Sequence, residues 1–227
     1  MKERLTLGIG LVLLAAAAAA GWYWFAHGAR AARLAESDDP AERLQALREL
    51  RGKSNDLALG VFDRLARDED PDVAEEAIRA LGDHGGEAAA ETLKDLLVSA
   101  AAGRTRGQAA ATLGLLEGTA PRLLGERLRS DGRIGDPDAD ARIGAAKGLA
   151  RLKDLAGLKY LVAALEDPDA RVRAVAVVAI QQLTGVRFLF EPRADEATRT
   201  AQLDTIRRRL ADAARARSAP PPRPPSH

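Results

Sequence analysis

The chain contains no cysteine, and aromatic residues make up only 4% of its 227 positions. Absence of cysteine excludes disulfides, a thiolate nucleophile, a Cys-ligated metal and a lipid-modified N-terminal cysteine. With so few rings, the core has to be built from Ala, Leu and Val, which favours close helix packing over a sheet. Histidine is scarce too: His27, His84 and His227 are the whole set. His84 lies in Asp83-His84-Gly85-Gly86, a turn sequence between helices. There is no Ser-His-Asp order, no His-Glu pair and no Gly-rich phosphate loop, so no catalytic residue, metal site or cofactor is expected. Charge of one sign is also missing. The formal net charge is +1, and setting aside Lys2, Glu3 and Arg4 leaves 32 basic and 32 acidic residues. A neutral body of this kind argues against a general nucleic-acid binder.

Charge is absent over one long run, Leu5 to Ala26, the 22 residues LTLGIGLVLLAAAAAAGWYWFA. At 1.5 Å per residue a helix of that length crosses a bilayer core of about 30 Å. Lys2 and Arg4 flank it on one side, Arg30 and Arg33 on the other. Trp22, Tyr23, Trp24 and Phe25 stand at its far end, where amphipathic rings favour the interface. A transmembrane helix over 5–26 is therefore expected, with the body outside the cytoplasm. The competing reading is a signal peptide cleaved near Ala18-Ala19-Ala20 and a secreted body.

What is abundant is repetition. Asp39-Pro40, Asp70-Pro71, Asp136-Pro137 and Asp167-Pro168 recur with proline spacings of 31, 66 and 31. Asp caps a helix N-terminus by accepting an orphan amide, and Pro suits the first helical position. Each pair thus predicts a helix start. Leu50, Leu81, Leu113, Leu149 and Ile180 follow at spacings of 31, 32, 36 and 31. Four residues before each stands Ala46, Ala77, Ala109, Ala145 or Ala176, and three before it Leu47, Ile78, Ala110, Ala146 or Val177. These positions form one apolar helix face. Leu57, Val61, Phe62 and Leu65, then Leu93, Leu96 and Leu97, then Leu123, Leu124 and Leu128, then Leu158, Leu161, Val162 and Leu165 mark a second helix in each unit. A pair of helices of about 31 residues cannot bury its own faces, so the units must stack. The third unit has Gly103-Arg104-Thr105 where its Asp-Pro should be, and Ser130 to Gly135 reads as an inserted loop.

The phrase Asp167-Pro168-Asp169-Ala170-Arg171-Val172-Arg173, continued by Ala176, Ala179 and Ile180, resembles the core of bacterial HEAT-like repeats, particularly the short type first noted in phycobilisome lyases. Asp70-Pro71-Asp72-Val73 with Ala77, Ala80 and Leu81 is a shorter version; Thr105 and Ala141 replace the Val elsewhere. The resemblance covers about residues 38–185. It implies an all-α fold, a right-handed α-solenoid of about five helix-turn-helix repeats following the N-terminal transmembrane helix. His-Glu pairs of iron-binding HEAT hydroxylases are missing, and both Trp lie in the apolar run, away from any nucleic-acid groove.

After Ile180 the pattern changes. Leu183-Thr184-Gly185 stops the helix, Val186 to Pro192 is extended and apolar, and a last helix from Asp195 to about Ala214 carries Leu203, Ile206 and Leu210. This end is expected to cap the stack. Ser218 to His227 is Pro-rich and expected to be a polyproline-II tail. The domain reading is an anchor over 1–26, a linker over 27–37, the repeat domain over 38–213 with its cap from 186, and a tail over 214–227.

Fold does not fix function. The expected function is a membrane-anchored scaffold, not an enzyme, whose second helices line a concave face that binds another protein or a peptide. Candidate contact residues are Arg64, Lys94, Arg122, Arg127, Lys159 and Tyr160, with Arg207, Arg208 and Arg209 as a separate dock for an acidic partner. The alternative is a lyase-type enzyme or an accessory to a cofactor-modifying enzyme.

Overall fold

The computed structural model describes residues 28–129 and 135–218. The apolar run 5–26, residues 130–134 of the inserted loop and the tail from 219 lie outside that set. Every regular element among the described residues is helical, and no helix there is long and apolar enough to cross a membrane. The chain divides into two compact units, Met1–Ala89 and Ala90–His227.

In the first unit, residues 28–34 are helical, and Ala31 and Ala35 are buried. The stretch expected as a linker over 27–37 is therefore largely packed helix. It is followed by α1 (Pro40–Leu50), α2 (Asp56–Leu65), α3 (Pro71–His84) and the start of α4 (Gly86–Ser99). Both α1 and α2 pack on α3. Ala46, Leu47 and Leu50 are buried with Val61, Phe62 and Leu65 and with Ala77, Ile78 and Leu81, the positions marked by the 31-residue period.

The second unit continues with α5 (Gly103–Leu113), α6 (Pro121–Leu128), α7 (Ala139–Leu152), α8 (Leu158–Ala163), α9 (Ala170–Thr184) and α10 (Glu196–Ser218). Short 3-10 turns, Leu155–Gly157 and Ala164–Glu166, extend α8 at both ends. Here α5, α7 and α9 lie side by side, with α6 and α8 packed on them. The first-helix layer is very close. A Cβ on Gly144 would strike the carbonyl oxygen of Gly107, and one on Gly114 the carbonyl of Gly148. These contacts leave no room for side chains between the backbones of α5 and α7.

Two of the four Asp-Pro pairs do not start a helix. Asp39 and Asp70 cap α1 and α3, with Pro40 and Pro71 in the first turn. The caps of α7 and α9 are Asp138 and Asp169, two residues beyond Asp136 and Asp167. The helix that lacks the motif, α5, is preceded by Ala102 without a side-chain cap. The five starting positions 39, 70, 102, 138 and 169 are spaced 31, 32, 36 and 31, matching the Leu and Ile anchors and not the prolines.

At the C-terminal end, Gly185 stops α9 with φ 71°, a conformation that costs glycine nothing. Residues 185–191 carry no regular structure. The Gln181 amide donates to the Phe188 carbonyl, and Phe188 is buried while Leu189 is 90% exposed. The last helix, α10, is held by Leu203 and Ile206. It runs to Ser218, four residues past the expected start of the tail.

Candidate functional site

In each unit arginines form a ladder, tying a first helix to the next repeat; Arg43, Arg142 and Arg173 are buried and Arg106 is half-buried. Each stands four residues after a helix start: Arg43, Arg106, Arg142 and Arg173. Each Nη1 donates to two carbonyls of the turn before its own helix. For Arg142 these are Asp136 and Pro137, both at 2.9 Å; for Arg106 they are Ala100 and Ala101, both at 2.8 Å. The rest of the guanidinium reaches the next repeat. Arg142 donates to both Asp167 oxygens at 2.8 and 3.0 Å, and Arg106 to both Asp136 oxygens at 2.6 and 2.8 Å. Arg43 pairs with Asp68 through one hydrogen bond, Nη2 donating at 2.8 Å, and an ion-pair contact of Nε at 2.8 Å. The aspartates are fixed in turn by the amides of Asp70, Asp138 and Asp169. Such two-pronged pairs impose orientation as well as attraction. At the last helix no aspartate follows, and Arg173 donates instead to the carbonyl of Pro192 at 2.8 and 2.5 Å.

These pairs are structural. Burial pushes the Asp136 carboxyl toward protonation, but Arg106, the Asp138 amide and the charge of Arg127 outweigh it and hold the group below the ordinary carboxylate range. The Arg106 guanidinium is correspondingly pushed up by its hydrogen bonds to Asp136. Burial, and then the charge of Arg199, lower Arg173. Apart from Arg43 Nε, which contacts Asp68 without hydrogen-bond geometry, the guanidinium atoms that reach the neighbouring repeat are bonded within the chain.

An open groove is found on the first-helix layer of the second unit. It lies between α7 and α9 and has a volume of about 790 Å³. Its α7 side carries Lys147, Arg151 and Lys153; its α9 side carries Val175, Val178 and Leu183. Val178 is 52% exposed. A second groove lies between the extended segment and α10, with Phe188, Leu189, Gln202 and Arg209 among its lining.

The expected contact residues fall elsewhere; of them, Arg122, Lys159 and Tyr160 lie near one another on α6 and α8. Arg64 is exposed and pairs with Glu36 at 3.2 Å. Lys94 pairs with Glu91 at 2.7 Å and Arg122 with Glu126 at 2.6 Å, each along its own helix. Arg127 is half-buried, and its carbonyl accepts from the Asp136 amide. Lys159 stands 4.9 Å from the Tyr160 ring centroid. Tyr160 is half-buried, and its ring covers Gly125, where any Cβ would collide with it; this ring joins α6 to α8. The arginines of α10 diverge. Arg207 reaches Glu166 at 3.3 Å, Arg208 bonds along its own helix, and Arg209 donates to the Arg187 carbonyl at 2.7 Å. Arg209 lines the groove between the extended segment and α10. Lys147, Arg151 and Lys153 went unnoticed because the first helices were read as pure packing. The sequence shows the cation pair one turn apart on α7, but only the packing of α7 on α9 sets the exposed Val178 beside it.

A family model for HEAT repeats matches residues 29–114 and 124–217. The chain belongs to the HEAT-repeat family. The first match begins inside the helical stretch 28–34, which places that stretch with the HEAT repeats, and the second ends in α10. Among curated proteins the sequence finds no match. HEAT repeats commonly act as protein-interaction scaffolds. In this HEAT chain the ladder ties first helices to the repeats that follow, and the groove between α7 and α9 is an open surface.

Proposed function

We propose that the protein is a membrane-anchored scaffold that holds another protein or peptide on the first-helix layer of its HEAT repeats. The observation that carries this reading is the groove between α7 and α9, open and half apolar, on helices whose spacing is locked by buried ion pairs. A preorganised surface of this kind loses little freedom on binding. The anchor rests on the 22 uncharged residues 5–26, their flanking cations and the aromatic cluster at their far end. With the N-terminus inside, the repeats lie outside the cytoplasm. The alternative, a lyase-type enzyme or an accessory to a cofactor-modifying enzyme, is less favoured by this groove, which sets its cations against aliphatic side chains with no carboxylate or histidine in its lining.

The test is chemical crosslinking in native membranes followed by mass spectrometry. The expected result is a protein crosslinked through α7 or α9, together with peptides from residues 1–26 in the membrane fraction. Crosslinks that reach no other protein would overturn the scaffold. Recovery of a chain beginning near Gly21 in the soluble fraction would overturn the anchor.

A further inference from the structure

The groove between α7 and α9 has two unlike walls. Lys147 and Arg151 stand one helical turn apart on α7, and Lys153 follows at its end; no carboxylate lines the groove. Several cations elsewhere in the molecule are matched within the chain. Arg79 pairs with Glu75 and Glu76, and Arg171 with Asp140 and Asp169. Among the described residues Lys147 and Lys153 have no ion-pair partner, and Arg151 is held by the Ala111 carbonyl at 2.7 Å. Lys153 also occupies a position suited to glycine. Its φ is 55°, the one positive value on a non-glycine residue among those described, whereas the turns at 52, 85, 118 and 185 use Gly. A side chain there has a conformational cost that glycine would not, and it places a third positive charge at the groove's edge. The opposite wall is aliphatic, with Val178 half exposed.

We infer that this groove binds an acidic amphipathic helix of a partner protein. The inference rests on the scaffold reading above. On such a helix an apolar stripe would seat against Val175, Val178 and Leu183. Glu or Asp side chains four residues apart would sit about 6 Å from each other, matching the one-turn spacing of Lys147 and Arg151. Complementary charge fixes the register and speeds encounter, while the apolar wall supplies the buried area.

The test is selection of a random 16-residue peptide library, displayed on phage, against the full-length chain. Enriched peptides are expected to combine Leu or Ile at helical spacing with clustered Glu or Asp. Their affinity should fall about tenfold in a K147E/R151E/K153E variant, as three ion pairs become repulsions. A Val178→Asp variant should weaken the same peptides. Raising salt from about 0.05 to 0.5 M should also weaken them, as expected for exposed charges. Circular dichroism of both variants guards against misfolding, and a Lys147→Gln change, which keeps the stem, should give a smaller loss in the same direction. Enrichment of basic or uncharged peptides, or no enrichment, overturns the inference. So do acidic peptides indifferent to all three charge reversals, and in that case the scaffold reading survives with its site elsewhere. Concentration-dependent self-association abolished by the triple reversal would make a second copy of the chain the occupant and overturn it as well.

Discussion

Asp167 is 2% exposed, with both oxygens taken by Arg142 and one shared with the Asp169 amide. A buried pair of this kind adds little net stability over an apolar replacement, but removing one partner leaves a buried charge without compensation. Asp167→Ala should therefore cost about 3–5 kcal/mol. The double change Arg142→Met with Asp167→Ala should cost less than the two single changes summed, because residues in contact are coupled. Urea unfolding of the four proteins measures this, and strict additivity would count against the ladder. The sequence obeys the same logic. Ala74 stands where α3 would carry its ladder arginine, and Ala100 where the matching aspartate would be; both are absent together. Asp136 adds a pH dependence. Its folded pKa lies below the ordinary value of about 3.9. Its stabilisation is thus fully present above about pH 4 and is lost as pH falls through the lower folded value. Asp136→Asn should lower stability at pH 7 and flatten its decline below about pH 4; an unchanged acid limb would refute that assignment.

At the scale of helices, glycines separate two kinds of position. Gly144 faces the carbonyl of Gly107 across the α5–α7 contact, and any Cβ there must displace backbone. Gly60 lies exposed inside α2 with nothing within 4 Å of its missing Cβ. Gly144→Ala should destabilise by about 1–3 kcal/mol through overpacking. Gly60→Ala should stabilise by about 0.5–1 kcal/mol through helix propensity and reduced unfolded-state entropy. Equal effects in thermal unfolding would show that α5 and α7 do not make this contact. Helix positions were largely legible from sequence because Ala and Leu at fixed offsets report burial directly: Ala109, Ala145 and Ala176 are all inaccessible. The Asp-Pro pairs were less reliable markers because Asp serves two roles two residues apart. Asp70 is a cap and Asp68 a ladder acceptor, while Asp136 and Asp167, though followed by Pro, are acceptors. Proline is compatible with both sites, since neither needs its amide. The groove between α7 and α9 was not legible, because Lys147 and Val178 are 31 residues apart and only the packing of α7 on α9 makes them neighbours.

For the molecule as a whole, stability in a stack is a sum over neighbours, and an end needs a cover that cannot recruit another copy. Here the cover is built from the last rung and α10. Arg173 finds the Pro192 carbonyl where earlier arginines find aspartate, and Phe188, Leu203 and Ile206 are buried at this end. A chain ending at Gly185 would leave Arg173 without that acceptor and expose the apolar face beneath α10. Three buried side chains at about 1.5–3 kcal/mol each set the loss on the order of 5 kcal/mol, enough to unfold most of a marginally stable array. The truncated protein should melt earlier and elute as aggregates in size exclusion. Deleting only the residues after Ser218 should leave both measurements unchanged, because the contacts of the cap lie before that point. If the Gly185 truncation stays monomeric with an unshifted melting temperature, α10 is an appendage and the stack ends on α9 without it.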